Sequence, residues 1–243
     1  MPSSPSASTS TAPKTLRRLL FATLTGALGL SLPVSQHALP KSAKNPSQEA
    51  KLIFRVYNYA GLDAASLLRS EKVAAAIFEQ IGIGVTWVDC PTSLPNAATY
   101  KACDSPMEAT DLVLRILPRR MANKLPRSED ALGSTQICSV EQPGCYLNLF
   151  YYRIDDLGAK GYRPDRILAY AIAHEAAHAL LGPSHSVEGI MRGDWTSSDL
   201  ERISMSMQFD FTHDQSRQLR KAVLQKAMPR APDGVTQAQL VAP

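Results

Sequence analysis

Residues 174 to 185 read HEAAHALLGPSH, and no other stretch of the chain restricts its fold as sharply. On a helix, residues four apart share a face, so His174 and His178 present their imidazoles to one point while Glu175 sits one position round from the first. That spacing suits two ligands of one zinc ion with a carboxylate beside them. Gly182 and Pro183 then stop the helix and turn the chain, which brings His185 back towards the same ion as a third ligand. The plainer alternative is a solvated or core helix with no metal. The histidine distribution weighs against it. Of five histidines, one (His37) lies in the N-terminal segment, and three of the other four fall between 174 and 185.

The 243 residues, 44% of them hydrophobic, suit one globular domain with an ordinary core. The formal charge of +4 owes much to the leader: residues 1 to 38 contain Lys14, Arg17 and Arg18 and no acid, and setting those three cations aside leaves +1. Nucleic acid is therefore not an expected partner. The leader is polar, then basic, then apolar from Leu19 to Leu32, and Pro33 ends the run. This is the order of an export signal, and fourteen residues are too few to span a bilayer comfortably, so no stable membrane span is expected. Arg17-Arg18 resembles a twin-arginine export signal, and an organellar transit peptide is the competing reading.

Cys90, Cys103, Cys138 and Cys145 all follow the leader, an even count in a chain expected to be exported. Of the three pairings, Cys90 with Cys103 and Cys138 with Cys145 close short loops rich in turn formers and are favoured. A second metal site is the alternative. It is disfavoured because none of the four forms a Cys-x-x-Cys pair or lies beside a histidine.

The pattern divides the chain into an export signal (about 1–38), a flexible segment (39–50), one catalytic domain (51–228) and a disordered tail (229–243). Within the domain, Leu52 to Tyr59, Ile83 to Val88 and Asp111 to Leu117 read as strands. Asp63 caps a helix running to Gly82. Strand, helix, strand in that order implies a right-handed crossover and a parallel pair. Residues 118 to 133 read as a surface loop, and Tyr146 to Tyr152 as a further strand whose aromatics belong to the core or line a groove. Arg163, Pro164 and Asp165 open the central helix. Ser197-Ser198-Asp199 caps a short helix, and Thr212 to Gln215 opens a last one through about Lys226.

On these residues the chain resembles the metzincin clan of zinc endopeptidases, by motif over His174 to Met191 and more loosely over about residues 52 to 226. The clan carries HExxHxxGxxH and a methionine-containing turn under the metal. His174, Glu175, His178, Gly182, His185 and Met191 take those places. Three residues separate His178 from Gly182 where most of the clan has two, a spacing similar to the archaemetzincin branch, whose cysteine cluster after the third ligand is missing here. The stretch HSxxGIM followed by Trp195 also resembles a group of bacterial exported proteins with metzincin-like signatures. No tyrosine follows Met191 closely, so the tyrosine that helps some relatives stabilise the transition state is not assignable here.

The resemblance implies an α+β, metzincin-like zincin fold: a mixed twisted sheet, two main helices of which one carries HExxH, and a small C-terminal helical part. It implies Zn²⁺ as cofactor, with a peptide or protein as substrate and Glu175 as the general base. Met191 is read as packing below the site, a thioether being a poor ligand beside three imidazoles. Glu201, 23 residues past His178, is the rival third ligand, in the thermolysin-like manner. Two other functions stay open: a silent peptide-binding module of the same fold, and a non-peptide amide or ester hydrolase. The oligomeric state is not legible.

Overall fold

The computed structural model describes residues 49–93, 100–126, 130–136 and 145–228. The expected export signal, nearly all of the flexible segment, the tail from 229 and Cys138 lie outside the described residues. Among the described residues, no helix is long and apolar enough to cross a membrane.

The first strand, β1 (Lys51–Asn58), buries Leu52, Phe54 and Val56 on one face, as a period of two dictates. Asp63 accepts a hydrogen bond from the Ser66 N–H (2.9 Å) and starts helix α1 (Ala64–Gln80). The chain returns as β2 (Gly84–Cys90), parallel to β1. A short helix, α2 (Lys101–Asp104), precedes β3 (Asp111–Leu117), which lies parallel on the other side of β1. The sheet continues with β5 (Cys145–Phe150) parallel to β3, and β4 (Gly133–Gln136) runs antiparallel to β5 at the edge. The order β2-β1-β3-β5-β4 makes a five-stranded mixed sheet in an α+β fold.

Several boundaries differ from the sequence reading. Residues 118 to 133, expected as a loop, contain the short helix α3 (Arg119–Ala122), and their last residue, Gly133, opens β4. The strand GSTQ carries no apolar alternation, and its conformation comes from pairing with β5. The strand expected to reach Tyr152 stops at Phe150, and Tyr151 and Tyr152 begin helix α4 (Tyr151–Ala159). There Ile154 is fully buried and Leu157 packs on the core, three residues apart as a helix face requires. The cap of α6 (Ser197–Ser204) is Thr196, one residue earlier than read, in a full capping box with Asp199. The aromatics of the 146–152 stretch divide: Phe150 is buried in the core and Tyr152 lines a cleft.

Helix α5 (Pro164–Leu181) crosses the sheet face that carries Leu52, Phe54, Leu112, Leu114, Leu147 and Leu149. It packs against α1, α4, α6, β4, β5 and α7 (His213–Ala227). Surrounded in this way it is apolar nearly all round, with 12 residues buried, and so lacks the polar face of a surface helix. Cys90 and Cys103 form a disulfide tying β2 to α2.

Candidate metal centre

Helix α5 runs through Leu181, so the extra residue before Gly182 is one more helical position. Gly182 then takes φ +95°, a conformation that L side chains rarely adopt, and the chain folds back. His185 arrives beside the two helical histidines. The Nε2 atoms of His174 and His178 lie 3.0 Å apart, and those of His178 and His185 lie 3.1 Å apart. One ligand atom from each of the three lies within 4.8 Å of the others.

The other ring nitrogens decide what these contacts are. His174 Nδ1 lies 2.7 Å from the Ile190 carbonyl oxygen, and His178 Nδ1 lies 2.9 Å from that of Gly182. A carbonyl only accepts, so each Nδ1 carries the hydrogen and each Nε2 presents a bare lone pair. Two lone pairs facing each other at 3.0 Å repel unless a cation lies between them. Imidazoles bound to tetrahedral zinc at about 2.0–2.1 Å have nitrogens about 3.3 Å apart, so the observed cluster fits such an ion with small adjustment. Burial pushes His174 down to about 4, with His178 and His185 adding to the shift and the Ile190 carbonyl opposing it. His178 is lowered for the same main reason. Both are therefore neutral near pH 7, the form that ligates.

The Ile190 carbonyl is delivered by a tight turn. Gly189 takes φ +69°, and a Cβ there would run into the backbone carbonyl of Asp210. Ile190 N–H donates to that same carbonyl (3.1 Å), Arg192 N–H donates to Gly189 (3.0 Å), and Ser186 N–H donates to Met191 (2.8 Å). Met191, in this turn, is buried in the hydrophobic core. Trp195 donates its indole N–H to the Ile190 carbonyl (3.2 Å) and meets the His174 ring edge-on at 5.9 Å.

Glu175 faces β4. Its Oε2 lies 2.6 Å from Thr135 Oγ1, and its main-chain oxygen 2.8 Å from the same hydroxyl. Burial raises the carboxyl to about 7, against the pull of the Thr135 hydrogen bond. A cleft of about 1190 Å³ opens onto His174, Glu175, His178 and His185, with Gly133 to Thr135 on one wall and Arg192 to Trp195 on another.

The structure thus brings together His174, Glu175, His178 and His185, with Gly182 and Met191 shaping the turns that hold them. It leaves Glu201 exposed on α6, outside the converging group. Cys90 and Cys103 are paired on the far side of the sheet order from β4; Cys145 is disulfide-bonded, and Cys138 lies outside the described residues. Gly133, Thr135 and the two carbonyls on the histidines were not legible as site groups. They carry no local motif, and a backbone carbonyl leaves no trace in residue type.

No protein-family model and no curated protein sequence matches the chain. Among solved structures the chain is similar to the crystal structure of metalloproteinase-II from Bacteroides fragilis, with TM-score 0.44 and 11% identity over 72% of this chain and 53% of that one. The chain spans about half the length of that structure.

Proposed function

We propose that this chain is an exported zinc endopeptidase of metzincin type, with His174, His178 and His185 as ligands and Glu175 as general base. The observation that carries the reading is the convergence of imidazole lone pairs beside a buried carboxylate in an open cleft. Three neutral imidazoles suit zinc better than a hard, oxygen-seeking cation. Bound there, the metal supplies Lewis acidity towards a carbonyl and a water.

The chain's own residues do the rest. The Ile190 and Gly182 carbonyls hold two imidazoles with their Nε2 lone pairs aimed at one point. Glu175 accepts the proton of the attacking water at its carboxylate and returns it to the departing amine. A carboxyl raised to about 7 is matched to both transfers near neutral pH. The edge strand β4 borders the cleft, so an extended peptide adding to that edge would lie along the site. Met191 supports the turn by packing. The disulfide between Cys90 and Cys103 is compatible with an oxidising, extracytoplasmic setting.

The test is a mixed peptide library incubated with metal-loaded protein, with and without chelator, alongside three variants. Glu175→Gln retains zinc and loses turnover by at least about 1,000-fold, His185→Ala loses zinc, and Glu201→Ala keeps both zinc and activity. Cleavage by Glu175→Gln at the wild-type rate refutes the base assignment, and zinc loss in Glu201→Ala alone would transfer the third ligand to that residue.

A further inference from the structure

Glu175 projects from α5, yet the hydroxyl that holds its carboxylate and the glycine that leaves it room both belong to β4. Gly133 and Thr135 are alternate residues of β4, opposite Leu149 and Leu147 of β5, and so share the sheet face turned towards α5. Thr135 Oγ1 stands 2.6 Å from Oε2. Over Gly133 the other carboxylate oxygen approaches so closely that a Cβ there would lie 2.7 Å from Oε1 and 2.8 Å from Cγ. One oxygen is thus held by a hydroxyl and the other rests where only a glycine leaves room.

From this geometry we infer that β4 is the seat of the general base, with Thr135 the positioning residue and Gly133 the clearance that lets the carboxylate sit there. The inference rests on the endopeptidase reading only for its kinetic consequence. The seat itself is a matter of where the carboxylate lies.

The chemistry of a hydroxyl suits the position. Thr135 has one hydrogen and two Glu175 oxygens within reach, the carboxylate oxygen and the main-chain oxygen at 2.8 Å. With the carboxylate charged, the hydroxyl donates to Oε2. With the proton of the attacking water on Oε2, the carboxyl donates to Oγ1, and the hydroxyl turns its own hydrogen to the main-chain oxygen. The O–H bond rotates, no heavy atom moves, and no buried donor is stranded in either state. Valine matches threonine in shape and can do neither.

Crystal structures of the zinc-loaded full chain, wild type, Thr135→Val and Thr135→Ser, locate the carboxylate directly. Kinetics of the same three proteins are measured on the quenched-fluorescent peptide that the wild type cleaves best in a library. The carboxylate should leave β4 in Thr135→Val and stay in Thr135→Ser. In Thr135→Val, kcat should fall roughly 10–100-fold, the range for groups that orient a metal site, with KM and zinc content unchanged. Thr135→Ser should remain within about threefold of wild type. If the valine variant does not fold, Thr135→Ala replaces it. An unmoved carboxylate in the variant lacking the hydroxyl overturns the seat, and a displaced carboxylate with undiminished kcat overturns its role in positioning. Should the wild type cleave no peptide at all, the endopeptidase reading fails, and the crystal structures alone decide the seat.

Discussion

His174 and Glu175 are adjacent in the chain, and the same burial moves their protonation in opposite directions. Each is driven towards its neutral form, the imidazole down to about 4 and the carboxyl up to about 7. In the metal-free protein this sets two opposed pH dependences. A histidine lowered from 6.5 contributes stability that is present above pH 6.5 and lost as pH falls towards 4, because only the unfolded chain binds the proton. A carboxyl raised from 4.5 contributes stability that is present below pH 4.5 and lost as pH rises towards 7. Glu175 therefore offsets part of the acid loss from His174 and His178. Urea midpoints of chelated wild type and Glu175→Gln, taken from pH 7 to 4.5, should show the steeper acid decline in the variant. Parallel curves would mean that the carboxyl titrates at its ordinary value.

His174, Glu175, His178 and His185 were legible because the information is local. Spacing of four, a helix-ending glycine and a third histidine all fall within twelve positions. Thr135 and Gly133 lie about forty residues upstream in a polar stretch, and only the pairing of β4 with β5 brings them to Glu175.

Among the elements, the turn at Gly189 has the tightest requirement. It needs a positive φ, and any Cβ would strike the Asp210 carbonyl. Gly189→Ala must therefore move the turn, and with it the Ile190 oxygen that fixes the tautomer of His174. We expect a loss of about 1–3 kcal/mol in urea unfolding, typical of strained backbone, with zinc affinity falling in the same variant. Unchanged affinity would mean that His174 holds its orientation without that carbonyl.

The elements that sequence missed are the ones decided by partners. Tyr146 to Phe150 has the composition of a strand, and Tyr151 and Tyr152 share it. The break at Phe150 follows from packing Ile154 into the core and Leu157 against it, which a helix does and a strand would not. By contrast β3 was read at its observed ends, since DLVLRIL is buried at six of its seven positions and its composition leaves little alternative.

At the scale of the whole molecule, the face of the sheet away from α5 is tied down by one buried cation. Arg55 pairs with Asp111 at 2.6 Å and donates to the carbonyls of Cys103 (3.1 Å), Ser105 (2.6 Å) and Pro106 (2.9 Å). It thereby joins β1, β3 and the segment closed by the disulfide. Asp111 is almost wholly buried, and its second oxygen has no partner, so Arg55→Met would leave a carboxylate in the interior with nothing to balance it. The expected loss is about 3–5 kcal/mol by urea denaturation with the disulfide intact. Arg55→Met with Asp111→Leu should recover much of it, and equal losses in single and double variants would refute the pairing as the cause.

Helix α5 is at once the longest buried element and the carrier of His174, Glu175 and His178, two of the proposed ligands and the proposed base. The domain therefore cannot form its interior without also aligning its chemistry. On the proposed function, a chelated sample should stay folded and gain peptidase activity when metal is returned, with no refolding step. The same sharing leaves little freedom for change: between Ile167 and Ala179 a substitution that alters the proposed reaction also alters the core, so on that reading variety in the peptide accepted has to come from the walls of the cleft.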